Sequence, residues 1–466
     1  MALWMKSLLV VCSILISETS FAKNMILIIG DGMDDQQITA ARNYLYGAQG
    51  NSILDTLPIR SAVQVLTLDE AKPETPIYVA DSANSATAMA TGVSTSIGRI
   101  GTSANQDEDL KNLTELAINK GLKTGLVTTA AITDATPAAF VAHVNQRGCQ
   151  SPKRMDQYES YGDLVIDCAL DLKSNGGLGS ISEQLADSQV DVLLGGGAKF
   201  FKSKNEAKSQ TLVEQAKMNG FDVAFDFNAA KNSNADKKLL GLFDKKHLEV
   251  KWQGTDGRVA EQPQFSILNW FHKYLGSVSL PDEMKCEANP EYTQRNTPSL
   301  KAMSELALQR LQNEHGFFLM IESASIDKQS HKRNPCGSIG EAEQLFETVQ
   351  LALDFAQTEK NAGRDTLILV TADHGQAAQI IPNGSMFNAY GVPISTPGAI
   401  ARLQTPEGGV MAINYATNEF SHEEHTGVNV PLFANQNIKD ENGENLIKPL
   451  IQQRDIFSLV KTYLEL

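Results

Sequence analysis

The hydrophobic residues of this chain fall into short uninterrupted runs that alternate with stretches of helical spacing. Apolar runs without polar alternation are typical of strands that are buried on both faces. Such runs occupy residues 25–29, 123–129, 190–194, 317–321, 366–371 and 428–433. Apolar residues three and four positions apart predict helices over residues 36–46, 109–120, 300–313 and 338–361. This alternation predicts an α/β fold, a three-layer sandwich with a large, mostly parallel central sheet flanked by helices.

Two segments depart from this alternation. Residues 199–296 are rich in Lys, Asn, Asp and Gln with scattered aromatic residues, which predicts a peripheral insertion with local helices. Residues 377–421 mix Gly, Pro, Asn and Ser, which predicts a loop excursion on the rim of the fold. We therefore expect one catalytic domain over residues 23–466 that carries two peripheral insertions.

The first 22 residues have the pattern of a secretory signal peptide. Lys6 precedes an apolar run over residues 8–16, and Ser20-Phe21-Ala22 offers small residues at a cleavage site. The run is shorter than the roughly 20 residues that a membrane span needs, and no later run is long enough. A buried N-terminal helix is the alternative, but a strand-like segment follows at once. The pattern predicts export to a periplasmic or secreted location and no membrane span.

The cysteines agree with an exported chain. Cys12 would leave with the signal peptide, and the four that remain are Cys149, Cys168, Cys286 and Cys336. An even number in an exported protein predicts two disulfides, for which three pairings are possible. Sequence proximity favours Cys149 with Cys168 and Cys286 with Cys336, and four unrelated buried thiols remain the alternative. No Cys-x-x-Cys pair is present, which argues against a thiolate zinc site.

Composition and charge exclude several classes of protein. The chain has 466 residues, of which 42% are hydrophobic and 20% charged, as expected for a globular protein with a large core. Forty Lys and Arg against 55 Asp and Glu give a net charge of −15, which argues against a nucleic-acid surface. A small anionic substrate would need a local concentration of positive charge.

Carboxylates or histidines follow several of the predicted strands. Asp31 follows the first strand, Asp134 and Thr136 follow the second, and Glu322 and the pair Asp373-His374 follow two others. Each alone could be a turn residue or a helix cap. Because parallel strands end at one edge of a sheet, the set together predicts a functional site there.

The histidines next to carboxylates predict a metal site. Asp327 and His331 are four residues apart, so on a helix they share a face and can bind one cation. Oxygen and imidazole ligands together suit zinc. His374 and His425 also lie next to carboxylates and small residues in the sequence. Surface or packing roles are expected for His247, His272 and His315, and His143 and His422 are intermediate.

Ser82 is the candidate nucleophile. It precedes a run of small helix-forming residues that ends at Gly92, so it should lie at a helix N-terminus, which favours anions. A plain capping serine is the alternative. The chain has no Gly-x-Ser-x-Gly elbow, so activation would have to come from a metal ion.

The ordered motifs resemble those of the alkaline phosphatases, most closely the exported bacterial branch. The resemblance extends from about residue 24 to residue 434. The motifs that carry it are Gly30-Asp31-Gly32-Met33, Asp81-Ser82-Ala83-Asn84-Ser85-Ala86, Thr133-Asp134-Ala135-Thr136-Pro137, His143-Val144-Asn145-Gln146-Arg147, Glu322 to His331, Thr371-Ala372-Asp373-His374 and Glu424-His425-Thr426-Gly427.

This resemblance implies two zinc ions and one magnesium ion per chain. The ligands of the first zinc would be Asp327, His331 and His425. The ligands of the second zinc would be Asp31, Asp373 and His374, and this ion would hold the Ser82 oxygen. The magnesium would be held by Asp31, Thr136 and Glu322, with Asp134 arranging its waters. Arg147 would clamp the phosphate and Lys328 would reach it through water, and we count Asp81 with these catalytic residues.

The implied activity is hydrolysis of small phosphomonoesters through a phosphoserine at Ser82, with release of inorganic phosphate. The resemblance also implies a homodimer. A phosphodiesterase of the same superfamily is one alternative, against which Thr136 and Glu322 count. A sulfatase would need a Cys/Ser-x-Pro-x-Arg context, which Ser82 lacks. A non-catalytic phosphate- or metal-binding protein is the other alternative, against which Ser82 and Arg147 count.

Overall fold

A computed structural model describes residues 22–155, 158–161, 164–272, 275–383 and 398–466. Within them, ten strands form one sheet. Their bounds are β1 Lys23–Gly30, β2 Ile59–Gln64, β5 Lys123–Ala131, β8 Val192–Gly196, β9 Phe221–Ala224, β10 Lys238–Leu242, β16 Gly316–Ser323, β17 Asp365–Ala372, β21 Val430–Ala434 and β22 Leu450–Gln452. Their order across the sheet is β22-β2-β21-β17-β1-β16-β5-β8-β10-β9. The predicted signal peptide lies outside the described residues except for its last residue.

The sheet is parallel except at one strand. β1 pairs in parallel with β16 and β17, and β5 pairs in parallel with β16 and β8. Only β21 runs the other way, antiparallel to both β17 and β2, among the strands of this sheet. The central strands are buried along nearly their whole length, which explains their continuous apolar sequence. The predicted α/β fold is confirmed.

Helices cover the sheet. Their bounds are α1 Asp35–Tyr46, α2 Ser82–Thr91, α3 Leu113–Asn119, α4 Ala135–Ala139, α5 Ile181–Asp187, α6 Ala198–Phe201, α7 Leu212–Met218, α8 Phe227–Lys231, α9 Leu268–Phe271, α10 Pro290–Gln294, α11 Leu300–Leu311, α12 Ser325–His331, α13 Pro335–Asn361 and α14 Asp455–Leu464. Every residue of α2 is buried, so its first turn has a fixed position. In the described ranges, no helix is long and apolar enough to cross a membrane.

Short strands form the remaining described β structure. They are β3 Thr67–Leu68, β4 Pro76–Ile77, β6 Tyr158–Tyr161, β7 Leu164–Asp167, β11 Trp252–Gly254, β12 Gln264–Phe265, β13 Val278–Ser279, β14 Glu283–Met284, β15 Cys286–Ala288, β18 Ala378–Ile381, β19 Ala399–Gln404 and β20 Val410–Tyr415. β14, β19, β20 and β18 form a separate four-stranded sheet.

The two segments predicted to be peripheral differ from that prediction. β9 and β10 lie within residues 199–296, yet they extend the edge of the central sheet rather than forming part of an insertion. Residues 377–421 contain three strands of the small sheet, so the prediction of a loop was wrong for these strands, while residues 384–397 lie outside the described part. Edge strands of four or five residues need few apolar positions, and the polar residues around them dominate the composition.

Two disulfides join the pairs that sequence proximity favours. Cys149 is bonded to Cys168 and Cys286 to Cys336, with Cα–Cα distances of 5.8 and 5.2 Å. The first bond begins two residues after Arg147 and anchors the chain on that side of it. The second ties β15 to the first turn of α13. Closing loops of 19 and 50 residues should stabilise the fold by about 3 and 4 kcal/mol through the entropy of the unfolded chain.

Candidate active site

The central strands end together and bring three carboxylates to one edge of the sheet. The register pairs Gly30 with both Ser323 and Ala372, so Asp31, Glu322 and Asp373 lie beside one another. The amide of Asp31 donates to the Ser323 carbonyl at 3.1 Å. None of the three carboxylates is more than 1% exposed. The prediction of a polar cluster beyond these strands agrees with this placement.

Gly32 lets the chain turn tightly beneath this cluster. Its φ of +68° lies in the left-handed region, and a Cβ there would come within 3.0 Å of the Asp327 Cβ. Its amide donates to Oδ1 of Asp373 at 2.9 Å. A side chain at this position would therefore displace Asp327, a candidate ligand on α12, or the side chain of Gln376.

Ser82 is the first residue of α2, and its hydroxyl faces the cluster. Its Oγ lies 3.1 Å from Nε2 of His374 and 3.5 Å from Oδ1 of Asp31. The helix cap is the preceding Asp81, whose carboxylate accepts from the Asn84 amide at 3.0 Å. Ser82 is therefore free of the capping role that was its alternative interpretation.

A first group of possible metal ligands joins α12 to the segment before β21. His331 and His425 each point Nδ1 at a backbone carbonyl, that of Glu423 and that of Ala80. In the neutral form each ring would carry its proton on Nδ1 and offer the Nε2 lone pair to a cation. Without a cation, burial lowers the pKa of His425, but the hydrogen bond and charge of Asp327 outweigh burial and raise it to about 9. The two Nε2 atoms lie 3.1 Å apart, and each lies 3.3 Å from Oδ1 of Asp327. One cation among them would satisfy all three atoms at once.

A second group surrounds His374. Its Nε2 lies 3.3 Å from Oδ2 of Asp373 and 3.5 Å from Oδ1 of Asp31. Burial lowers the pKa of His374 to about 4, so the ring is neutral and can act as a ligand. Oδ2 of Asp373 is buried without a hydrogen-bond partner, and burial together with the charges of Asp373 and Asp327 raises the pKa of Asp31. These side chains fit a divalent cation, which would satisfy the orphaned oxygen and offset the crowded charge.

Glu322, Thr136 and Asp134 form a third group around Lys328. Nζ of Lys328 lies 2.8 Å from Oδ2 of Asp134 and 3.7 Å from Oδ2 of Asp31. Glu322 accepts hydrogen bonds from the hydroxyls of Thr128 and Thr136, and burial raises its pKa to about 7. Hydroxyl and carboxylate oxygens are the ligands that magnesium prefers, so this group fits the smaller, harder ion.

Arg147 lies at the mouth of the site between two carboxylates. Its Nη1 lies 3.0 Å from Oδ2 of Asp81, and its Nη2 lies 3.6 Å from Oδ1 of Asp134. The guanidinium side chain is 31% exposed, so an incoming anion can reach it. Its loop is held by the hydrogen bond from the Arg147 amide to the Gly98 carbonyl and by the Cys149–Cys168 disulfide. The planar fork suits two phosphate oxygens.

The sequence comparisons identify the family of the chain. The family model for alkaline phosphatase matches residues 22–442. The chain belongs to the alkaline phosphatase family. Alkaline phosphatase of Escherichia coli (strain K12) is 39% identical over 455 residues, which is 96% of this chain and 86% of that protein. Alkaline phosphatase H of Pseudomonas aeruginosa is 39% identical over 89% of this chain and 80% of its own, and streptomycin-6-phosphate phosphatase of Streptomyces griseus is 36% identical over 90% and 86%.

Solved alkaline phosphatases share the fold at lower identity. The enzyme of the Antarctic bacterium TAB5 matches with a TM-score of 0.63 and 20% identity over 96% of this chain and 98% of its own. The enzyme of Thermus thermophilus matches with a TM-score of 0.65 and 19% identity over 96% and 91%. The predicted family, fold and enzyme class are thereby confirmed: the chain is a phosphoric monoester hydrolase of a metal-dependent family that acts on small phosphomonoesters.

Two features of this alkaline phosphatase site escaped the sequence analysis. His247 was expected to be a surface or packing residue, yet its Nδ1 lies 3.8 Å from Oδ2 of Asp134 and accepts from the Ala131 amide at 3.2 Å. Arg333 forms an ion pair with Glu423, whose carbonyl contacts His331. Neither His247 nor Arg333 belongs to a hydrophobic pattern that would indicate its contacts. The only signal in the sequence is proximity to candidate ligands: Arg333 lies two residues after His331, and Glu423 lies two residues before His425.

Proposed function

We propose that the enzyme hydrolyses phosphomonoesters in two steps through a phosphoserine at Ser82, with two zinc ions and one magnesium ion bound. The observation that carries this proposal is the position of the Ser82 hydroxyl, 3.1 Å from His374 and 3.5 Å from Asp31, with Arg147 at the mouth. A serine placed between two groups of metal-ligand type at a helix N-terminus is suited to attack on an anionic substrate.

The zinc ions would be held by the two histidine-containing groups and the magnesium by the third group. The residues are Asp327, His331 and His425 for the first zinc, Asp31, Asp373 and His374 for the second, and Asp31, Thr136 and Glu322 for magnesium. When bound, the cations supply positive charge next to the attacking and leaving oxygens and favour their deprotonated forms. A TAB5 enzyme variant in the same fold has Mg bound in its M3 site, which supports a third site in the family.

The residues of the chain carry the two displacements. The Ser82 oxygen attacks phosphorus, its bond to phosphorus forms as the ester P–O bond breaks, and the alcohol leaves with the hydroxyl proton. Water then attacks the phosphoserine from the same side as the departed alcohol. The Ser82 oxygen takes back a proton and inorganic phosphate is released.

Arg147 and Lys328 would position the phosphate and its water. The two Nη atoms of Arg147 bind two phosphoryl oxygens, and Asp81 orients the guanidinium through its 3.0 Å contact. Lys328, held at 2.8 Å by Asp134, adds charge near the phosphate. Asp134 in turn orders water on the magnesium side.

We infer that this function is performed outside the cytoplasm by a homodimer. The signal-peptide pattern of residues 1–22 supports export, as do two disulfides, which persist in oxidising compartments. The dimer rests on the resemblance to the bacterial enzymes, and light scattering of the purified protein tests it. We also propose that residues 23–466 form one catalytic domain.

Ser82→Ala tests the proposal, with Ser85→Ala as its matched control. Ser85 lies one turn along α2, is fully buried, and has a hydroxyl without a hydrogen-bond partner. We expect Ser82→Ala to lose at least about 1,000-fold in kcat/KM for p-nitrophenyl phosphate and to form no phosphoprotein at acid pH, while retaining zinc. Ser85→Ala should keep both properties.

Three results would contradict the proposal. A phosphoprotein in Ser82→Ala would place the covalent step elsewhere. A higher rate on bis(p-nitrophenyl) phosphate than on the monoester would indicate a diesterase. Turnover that persists in the presence of a chelator would show that catalysis does not need metal ions. Failure of zinc and magnesium to restore turnover after chelation would contradict the proposed metal ions.

A further inference from the structure

A group of basic residues lies on one side of the active-site mouth, although the protein as a whole is acidic. We call Arg154, Lys199, Lys245 and Lys246 the basic rim. The amide of Lys199 donates to the Lys245 carbonyl at 3.2 Å, so α6 and the segment after β10 lie side by side. None of the four pairs with a carboxylate among the side chains that the structure describes. With a net charge of −15, four such neighbours are not expected from composition alone.

The basic rim is continuous with the active site through His247. This residue follows Lys246 directly, and its Nδ1 lies 3.8 Å from Oδ2 of Asp134. The next residue, Leu248, donates its amide to the carbonyl of Thr129 at 2.9 Å, which fixes the segment against the end of β5. Since Asp134 also contacts Lys328, the lysines of the rim adjoin groups that would surround the bound phosphate.

The charges of the basic rim act on one another and on the site. Partial burial and the charges of Lys246, Arg154 and Lys245 lower the pKa of Lys199. Partial burial also lowers the pKa of His247. The negative charge of Asp134 raises this pKa, whereas the positive charges of Lys328, Lys199 and Lys332 lower it further. Like charges held together without acidic partners are unfavourable in the absence of an anion. A ligand with negative charge would relieve this repulsion.

We propose that the basic rim attracts a second anionic group on the substrate, so that the enzyme prefers phosphomonoesters whose alcohol carries another phosphate. This inference rests on the proposed phosphomonoesterase function. Direct contact is not required, because charges act over about 10 Å at an ionic strength of 0.1 M. A cationic alcohol should be disfavoured for the same reason.

A groove next to the rim gives room for such a group. It has a volume of about 540 Å³ and is lined by Lys199, Lys202, Phe225 and Lys245, among others. Arg295 also lines it but is already paired with Asp244 at 3.2 Å, which leaves the lysines to meet an anion. Nζ of Lys202 lies 5.5 Å from the Phe225 ring centroid, so the wall combines charge with an apolar face.

A matched series of propyl phosphates tests the proposal on the zinc- and magnesium-loaded enzyme. The three substrates carry at the third carbon a hydroxyl, a second phosphate or a trimethylammonium group. We expect kcat/KM per ester group to rank bisphosphate above the neutral compound and the cationic compound last. A cationic substituent makes the alcohol a better leaving group, so the chemistry alone predicts the opposite order.

Variants then assign the preference to the rim. Lys245→Glu/Lys246→Glu should lower the ratio of bisphosphate to neutral kcat/KM by roughly tenfold at 0.1 M ionic strength, and Lys245→Gln/Lys246→Gln by less. Lys360→Glu is the control. This substitution also replaces a lysine with a glutamate, at an exposed site near the end of α13. α13 leads into the start of β17, so this site lies at the amino ends of the central strands, away from the active site. Raising the ionic strength from about 0.01 to about 1 M should remove the preference.

Two results would overturn the inference. One is equal kcat/KM for all three substrates in the unmodified enzyme. The other is a preference for the bisphosphate that survives Lys245→Glu/Lys246→Glu. Absence of turnover on any monoester, p-nitrophenyl phosphate included, would instead refute the proposed function on which the inference rests.

Discussion

Breaking the ion pair between Arg333 and Glu423 should loosen the candidate zinc site next to it. Nε of Arg333 lies 2.5 Å from Oε1 of Glu423, and the two side chains are 14% and 0% exposed. The backbone carbonyl of Glu423 contacts Nδ1 of His331, and His425 follows two residues later. The pair therefore holds the segment that positions His331 and leads to His425, whose Nε2 atoms would meet at the proposed first zinc ion.

The cost of breaking the pair follows from its burial. Arg333→Met leaves the Glu423 carboxylate buried without its cation, which costs about 3–5 kcal/mol of unfolding free energy. Unfolding entropy of about 2.1 cal/mol/K per residue, over 466 residues, gives about 1 kcal/mol per kelvin. We expect the Tm to fall by about 3–5 °C. Because the ring of His331 loses its fixed acceptor, zinc affinity should fall about 10- to 100-fold.

The assay compares the Tm by calorimetry with the zinc retained after dialysis against a chelator. Arg333→Lys should give an intermediate result, because an ammonium cannot reach both Glu423 and the Asn418 carbonyl that Arg333 contacts at 3.2 Å. Arg333→Met/Glu423→Gln removes both charges and should recover part of the Tm. If Arg333→Met lowers the Tm but retains zinc like the unmodified enzyme, the pair stabilises the fold only and the positioning argument fails.

Three further predictions concern the metals, a disulfide and a buried acid. Removing the metals should weaken binding of inorganic phosphate at least tenfold by calorimetric titration, because the carboxylates then repel it; equal binding by apoenzyme and holoenzyme would contradict this. Cys286→Ser/Cys336→Ser should lower the unfolding free energy by about 4 kcal/mol in urea titrations, and no change would exclude a formed disulfide. Burial raises the pKa of Glu341 to about 7, so the folded state holds a proton that the unfolded chain releases near pH 4.5. Stability should therefore fall between about pH 5 and 7, and Glu341→Gln should remove about 3 kcal/mol of that fall in apoenzyme unfolding; an unchanged pH profile would refute the shift.

The sequence predicts the central sheet well because its strands are buried on both faces. Runs such as that of β16 contain almost no polar residue, and the residues after them must lie at one edge. That placement of Asp31, Glu322 and Asp373 requires no knowledge of side-chain contacts. The family motifs then supply the roles, which remain predictions until the metals and the phosphoserine are measured.

The features that the sequence analysis missed depend on contacts between segments that are distant in the chain. His247 approaches Asp134 from a segment with no apolar pattern of its own, more than one hundred residues away. Arg333 meets Glu423 across 90 residues, and a salt bridge has no periodicity. β10 was assigned to an insertion because its lysine- and asparagine-rich flanks outweigh a strand of five residues.

The distribution of charge explains how an acidic protein can select an anionic substrate. In the inner site, six carboxylates face Arg147, Lys328 and the imidazoles of His331 and His425; they are those of Asp31, Asp81, Asp134, Glu322, Asp327 and Asp373. Because the six carboxylates outnumber these four basic groups, the net charge there is not positive without metal ions. Three divalent ions would make it positive, which ties the capture of phosphate to the metals. The basic rim lies farther out and needs no metal for its charge. Metal removal should therefore weaken the binding of phosphate in the inner site and leave the electrostatic attraction of the rim, which separates the two contributions experimentally.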